Sequence, residues 1–217
     1  MDHRIVYLVR HGQSIHNAAP VYQSEHAPLS GKGIRQAQTI AERLANVEFE
    51  TLLASPILRA KQTASYITEA TGHQPEFTDL FVERTKPSKI DGQPIDDPES
   101  SHIFKAWQDS LYSHDKRVGD GENYGDIISR ADKALGFLTE RPEQTLVVVT
   151  HGFFLTALIA RAICEDQLTP ALLNNFTHNT MLENTSVSAL RYVYDERSKT
   201  HAWRLWSFND LAHFADQ

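Results

Sequence analysis

Two short apolar runs in this sequence end in the same pair of residues. The run 5–9 leads into Arg10-His11-Gly12-Gln13-Ser14, and the run 146–149 leads into Thr150-His151-Gly152. An imidazole near neutral pH can be nucleophile, base or acid. A guanidinium offers a planar fork of donors to phosphate oxygens. Glycine beside them lets backbone N–H groups approach a ligand closely. One Arg-His-Gly alone reads equally well as a strand that ends in polar residues. If the two strands are parallel neighbours, however, both imidazoles emerge at one edge of the sheet. Anionic ligands of open α/β sheets bind at such an edge.

Hydrophobic spacing supplies the elements that would position these ends. Runs 5–9, 51–54 and 146–149 read as buried strands, with a shorter one at 76–78. Ser30 is an N-cap for a helix to about residue 45, with Ile34, Ala37, Ala41 and Leu44 turned inward. Gly31-Lys32-Gly33 lacks the spaced glycine and the Lys-Ser/Thr ending of a P-loop, and reads as that helix's start. Further helices are expected over 57–70 (Ile57, Ala60, Ala64, Ile67 buried), 125–140 (Ile127, Ile128, Ala131, Leu135, Leu138 inward) and 153–164. A late strand pair, 186–194 and 202–207, brackets a polar turn, and the tail from Asn209 should pack on the domain. Between about 80 and 121 the pattern is irregular, broken by Pro87, Gly92, Pro94 and Pro98. One helix, 99–114, fits inside it through Ile103, Trp107 and Leu111. Such an insertion is more often a lid or binding element than filler. Alternating strands and helices predict a single domain over 1–217, a three-layer α/β/α sandwich around a mostly parallel sheet.

The chain has 217 residues, 41% hydrophobic and 23% charged, enough for a full core without staples. Its formal net charge of −7 argues against general affinity for nucleic acid or anionic membranes. A locally basic pocket can still take an anionic substrate. Neither a signal peptide nor a transmembrane segment is visible, so a cytoplasmic location is expected. Cys164 is the only cysteine, and Ala162 and Ile163 before it suggest a packed thiol, so no thiolate cluster can hold a metal. The eleven histidines show no HExxH spacing. His73, His102, His114 and His201 lie among polar neighbours, and no metal or cofactor is expected. Strand 186–194 could pair at a homodimer edge or be covered within the fold.

Three residues away from the strand ends also carry chemistry. Arg59 falls in the first turn of the helix 57–70, off its apolar stripe, and alone would be a surface arginine. Glu83 follows Phe81-Val82 and alone would be a surface carboxylate. Asn17 lies in the loop that should close over the first strand end.

Together these residues resemble the signature of the histidine phosphatase, or phosphoglycerate mutase-like, superfamily. The likeness runs from Arg10-His11-Gly12-Gln13-Ser14 with Asn17, through Pro28-Leu29-Ser30 with Gly33, Gln36 and Ala37. It continues in Ser55-Pro56-Ile57-Leu58-Arg59-Ala60-Lys61-Gln62-Thr63-Ala64, in Glu83-Arg84 with Pro87-Ser88, and in Gly121-Glu122. It ends in Val148-Val149-Thr150-His151-Gly152, Asn184-Thr185-Ser186, and Asn209-Asp210 with His213. A single Arg-His-Gly is weak; this ordered set is strong.

The resemblance implies that His11 is a nucleophile forming a phosphohistidine, with its other ring nitrogen held by an acceptor such as a backbone carbonyl. Arg10, Arg59 and His151 would surround the phosphoryl oxygens, with Asn17 as a further donor. Gly12, Gln13, Ser14 and Gly152 would line the substrate, and Arg84, Lys86 and Lys89 offer anion contacts. Glu83 would protonate the leaving alkoxide and then activate water. Partial burial and a phosphate dianion favour its proton, and neighbouring arginines oppose it. The sequence departs from the family at His16, where many relatives have Trp, at His26, where many have Asp, and at Phe153, where a second Gly often follows. These positions shape the substrate pocket. Trp107, Tyr112 and Tyr124 could line it, although aromatics at helical spacing are more often core. The implied function is a metal-independent phosphomonoesterase acting on a small phosphorylated metabolite. The alternatives are a cofactor-dependent phosphoglycerate mutase and a non-catalytic module that binds a phosphorylated ligand. A mutase usually carries a longer basic insertion than this one.

Overall fold

The computed structural model describes residues 3–17, 19–196 and 198–214. Strands β1 (His3–Arg10), β2 (Thr51–Ala54), β3 (Pro75–Phe77), β4 (Thr145–Thr150), β5 (Val187–Asp195) and β6 (Thr200–Asp210) form one sheet. Their order across it is β3-β2-β4-β1-β5-β6. Strands β1 to β4 run parallel, while β5 lies antiparallel to both β1 and β6. The helices are α1 (Gly31–Leu44), α2 (Leu58–Thr71), α3 (Pro98–Asp109), α4 (Tyr124–Glu140), α5 (Gly152–Cys164) and α6 (Pro170–Asn179).

Alternation along the central strands sorts their side chains into two cores. Val9, Leu52, Ala54, Val147 and Val149 pack with Ile40, Ala41 and Leu44 of α1 and Ala60, Ala64 and Ile67 of α2. Val6, Leu8, Leu53, Leu146 and Val148 pack with Ala131 and Leu138 of α4 and Leu155, Leu158 and Ile159 of α5. Helices thus cover both faces, which is why these strands read as unbroken apolar runs rather than alternating ones. The three-layer α/β/α sandwich expected from the sequence is the observed architecture.

Local chemistry sets the helix starts. The Ser30 hydroxyl accepts the Gly33 N–H at the head of α1. Asn123 and Asp126 form a reciprocal capping box, so α4 begins at Tyr124, one residue before the expected start. Asp97 caps α3, with Pro98 in its first turn. That helix stops at Asp109 and continues only as a tight turn over Ser110–Tyr112, short of the expected residue 114.

Other expectations are corrected. Ile34 is exposed rather than inward. Helix α6 was not foreseen, and β3 begins one residue earlier than expected. Strand β5 is interior, between β1 and β6, so the outer position at that end of the sheet belongs to β6. His73 stacks on Phe49, His114 meets the Tyr124 ring edge-on, and His201 lies against Tyr192, so each of these histidines has an aromatic contact as well as its polar neighbours. Tyr124 is core, with its hydroxyl donating to the Leu168 carbonyl, and Tyr112 is exposed. The tail forms a short turn over Ala212–Phe214, and His213 contacts Arg43 of α1.

Candidate active site

Strands β1 and β4 are parallel neighbours with Arg10 opposite Thr150. The next residue on each strand is a histidine, so the two imidazoles leave the sheet side by side, with ring centroids 4.9 Å apart. Both are fully buried within the protein. Burial is the largest influence on each ring, and the charges of Arg59 and Arg10 act the same way. Both histidines are therefore held well below the usual imidazole range and stay neutral.

The two rings are oriented differently. His11 Nδ1 donates to the carbonyl oxygen of Gly12 at 2.6 Å, while Nε2 accepts from Arg59 Nε at 3.1 Å. The proton thus resides on Nδ1 and the lone pair on Nε2. His151 Nε2 lies 2.8 Å from the Ser55 hydroxyl. That hydroxyl accepts the Ile57 N–H at 3.2 Å and has no other acceptor for its own proton among the described residues, so the proton goes to Nε2. This assigns the second imidazole's proton to Nδ1. His151 Nδ1 and Arg10 Nε are both buried without a protein partner. Unpaired buried donors are costly, and these two belong to the same strand ends.

Arg59 is only 2% exposed, which corrects its reading as a solvated side chain. Besides its contact with His11, its Nη1 donates to the Ser24 carbonyl at 3.1 Å. Burial lowers its pKa to about 10, opposed by Glu83 and Glu25, and it remains protonated at neutral pH. Arg10 is anchored through Nη1 on the Leu182 carbonyl, and the Asn184 amide donates to the His11 carbonyl at 2.9 Å.

Glu83 sits at the start of α5, immediately after His151. Its two oxygens accept the N–H groups of Phe153 at 3.2 Å and Phe154 at 3.0 Å. A helix N-terminus suits a carboxylate there. Arg130 of α4 holds the segment before it, donating to the Val82 carbonyl at 2.7 Å and gripping Glu122 with both arms of its fork. The charge of Glu83 acts on Arg10, Arg59 and Arg84 alike, which puts the carboxylate among the site's guanidinium groups.

The surrounding loop is stitched tightly. The Gly12 N–H donates to Thr63 at 3.1 Å and the Gln13 N–H to Gln36 at 2.9 Å. A Cβ on Gly12 would stand 2.5 Å from the Gly33 carbonyl oxygen, so only glycine fits there. The Asn17 side-chain oxygen accepts the Ser14 N–H at 3.1 Å, which leaves its amide NH2 group as the end for a ligand. Ser14 is buried, and its hydroxyl accepts from Asn17 and Gln23 rather than facing outward. At Gly152 a Cβ would stand 3.1 Å from Arg10 Nε.

Arg84 departs from its expected role. It is 4% exposed, and its donors reach the carbonyls of Trp107 and Glu122, the Ser110 hydroxyl and the Gln108 amide. It fastens α3 to the site instead of reaching for an anion. Lys86 pairs with Asp91 at 2.5 Å, and Lys89 pairs with Glu99. A cavity of about 210 Å³ opens beside Arg59 and Glu83, and Trp107 and Phe153 contribute to its wall. Neither this cavity nor a larger depression of about 630 Å³, lined in part by Arg130 and Lys133, has His11 or His151 in its lining; only the smaller one is lined by Arg59 and Glu83.

Sequence reasoning named both histidines, Arg10, Arg59 and Glu83, and the fold brings them together. It assigned no role to Ser55, Ser24, Thr63 or Arg130. Ser55 and Thr63 stood within the quoted motif around Arg59, which was the available signal; Ser24 and Arg130 had none.

A three-layer fold with two strand-end histidines among buried arginines defines a class of α/β proteins built around an anion site. The sequence profile of the histidine phosphatase superfamily, branch 1, matches residues 6–205. The chain belongs to that superfamily. It is 28% identical over 214 residues to a probable phosphoglycerate mutase, GpmB, of Yersinia pestis, covering 96% of this chain and 94% of the relative. Among solved structures, mycobacterial glucosyl-3-phosphoglycerate phosphatase superposes with a TM-score of 0.73 at 23% identity, over 95% of this chain and 99% of that one. A putative alpha-ribazole-5'-P phosphatase from Escherichia coli superposes with a TM-score of 0.77 at 22% identity, over 95% and 97%. At these identities the superpositions establish the shared fold.

Proposed function

We propose that the protein is a metal-independent phosphomonoesterase that hydrolyses a small phosphorylated metabolite through a phosphohistidine on His11. The observation that carries this reading is the buried His11 ring, with its proton tied to Gly12 and its Nε2 lone pair turned toward Arg59. A substrate phosphoryl oxygen takes over the Arg59 Nε–H and frees that lone pair. Nε2 then attacks phosphorus, the P–O ester bond breaks, and Glu83 gives its proton to the departing alkoxide. In the second half Glu83 removes a proton from water, the hydroxide oxygen attacks phosphorus, and the P–N bond breaks. Inorganic phosphate leaves with neutral His11 restored. Arg10, Arg59 and His151 Nδ1–H supply the donors that stabilise the charge on the equatorial oxygens.

A mutase reading is favoured by the name of the Yersinia relative. Against it, a phosphoglycerate carboxylate needs a cation, and Arg84, Lys86 and Lys89 are each engaged within the protein. A non-catalytic binding module fits less well, since the residues proposed as nucleophile, acid and phosphate donors lie together at one end of the sheet. A chain with one cysteine suits a cytoplasmic setting.

The test is phosphate release from a panel of phosphomonoesters, with chelator present, for wild type and His11→Ala. A parallel assay follows 2-phosphoglycerate formation from 3-phosphoglycerate with the bisphosphate cofactor. Chelator-resistant release that is lost in His11→Ala supports the reading. Isomer interconversion with little release would replace it with the mutase, and neither activity would return the binding module.

A further inference from the structure

The cavity beside Arg59 and Glu83 carries four aromatic side chains in its lining, set among polar and charged ones. Tyr22, from the loop after Asn17, packs on Phe104 of α3 with ring centroids 4.6 Å apart and planes inclined by 32°. Phe104 in turn meets Trp107, one turn further along α3, at 5.6 Å. The Arg84 guanidinium lies flat over Trp107, 3.8 Å from its centroid, and 5.5 Å from the Phe153 ring of α5. Four aromatic side chains from three separate segments therefore line a space of about 210 Å³ together with Arg59 and Glu83. That is below the roughly 300 Å³ of a drug-sized site and suits a single ring system.

The charges around this space matter as much as its walls. Arg84 is bonded throughout to backbone and side-chain acceptors, and Lys86 is paired with Asp91. Of the remaining charged side chains on the lining, Arg59 is the cation the proposed mechanism assigns to the phosphoryl group, and Glu25 and Glu83 are acids that offer a second anion no partner. A leaving group that carries its own carboxylate or a second phosphate would lose water there and gain no unpaired cation. A flat uncharged ring would instead stack on the aromatic walls.

We propose that the substrate is a phosphomonoester of an uncharged, ring-bearing alcohol, with the ring held among Tyr22, Phe104, Trp107 and Phe153. This rests on the phosphomonoesterase reading for its chemistry, while the ring-binding part stands on the cavity alone.

Esters of ordinary alcohols test it, because activated aryl esters reward any phosphatase. Benzyl phosphate, glycerol 3-phosphate and 3-phosphoglycerate are compared by kcat/KM for wild type, Phe104→Ala and Phe153→Ala. Benzyl phosphate should exceed the other two by roughly tenfold or more, and each variant should reduce that preference, read as the ratio of kcat/KM for benzyl phosphate to that for glycerol 3-phosphate, severalfold. Affinity for benzylphosphonate against methylphosphonate, measured by calorimetry, reads the ring pocket without turnover and should favour the benzyl compound. Hydrolysis with no preference for benzyl phosphate would overturn the substrate class and leave the phosphatase standing. Ring-selective phosphonate binding without hydrolysis of any ester would do the reverse. Equal phosphonate affinities would overturn the ring pocket.

Discussion

His11 is held by the carbonyl of its own neighbour: Nδ1 donates to Gly12 oxygen across 2.6 Å. That carbonyl is fixed because the Gly12 N–H is bonded to Thr63 and the residue is pressed against Gly33. The His11 tautomer is thus set by a backbone carbonyl that the Thr63 hydroxyl helps to hold in place. Phosphorylated enzyme trapped during turnover should carry its label on Nε2 of His11, stable to base and labile to acid as a P–N bond is. Mass mapping or 31P spectroscopy reads this, and a label on any other residue would contradict the assignment.

Glu83→Gln keeps both acceptor positions' shape but removes the transferable proton. Hydrolysis of alkyl esters should fall by about 10²–10⁴-fold. Phosphohistidine formation from p-nitrophenyl phosphate, whose leaving group needs little protonation, should fall far less, measured as the burst before steady state. Equal losses for both esters would remove Glu83 from the acid role.

Ser55→Ala deletes the partner of His151 Nε2. One buried hydrogen bond contributes on the order of 1 kcal/mol, so kcat should drop by about fivefold with a smaller change in thermal midpoint. Unchanged kcat would mean that His151 is oriented by its packing alone.

The two strand-end histidines predict an acid-sensitive fold. Burial first, then Arg59, depresses both below the ordinary value of 6.5. When pH falls below 6.5 the unfolded chain takes up protons that the folded protein refuses. Stability is therefore full above 6.5 and declines below it, by up to about 1.4 kcal/mol per pH unit for each such histidine. His213, lowered to about 4 mainly by burial, adds in the same direction between 6.5 and that value. Urea midpoints at pH 7.5 and pH 5 measure the decline, and a flat profile would refute it.

Two helical glycines should respond oppositely to alanine. Gly136, in α4, has open space where a Cβ would go, so Gly136→Ala should stabilise by about 0.5–1 kcal/mol. At Gly33, in α1, the same atom would stand 1.9 Å from the Gln13 carbonyl oxygen. Gly33→Ala should destabilise despite its better helix propensity and displace the loop beneath His11. Thermal midpoints of the two variants decide it.

What the sequence made legible follows from locality. β1 and β4 are buried on both faces, so their apolar runs are unambiguous and the residues ending them stand out. Ser30 and its helix were equally plain, because a cap and its target are three residues apart. Arg59's burial was hidden: it lies off the stripe facing the sheet, and its cover comes from the Ser24 loop, thirty-five positions earlier. Ser55 was seen only as part of a motif, since its partner lies ninety-six positions away. Helix α6 escaped because only Leu173 in it is fully buried and its Asn and Thr residues are weak helix formers. The orientation of Arg84 could not be read either, because a guanidinium at a pocket's rim looks the same in sequence whether its donors face inward or outward.

The loop carrying Tyr22 and Ser24 is laced to the insertion. Tyr22 N–H bonds to the Gln93 carbonyl, Gly92 N–H returns to the Tyr22 carbonyl, Ile95 N–H reaches the Pro20 carbonyl, and the Ser24 hydroxyl donates to Asp91. Because the Ser24 carbonyl also accepts from Arg59, the loop and insertion that line the cavity and the segment that holds this arginine are one mechanical unit. Grafting the insertion from a relative without residues 20–24 would detach this support. Substrate range in this scaffold is inherited as a pair of segments, and exchange of both together is the route by which it could be altered without losing turnover.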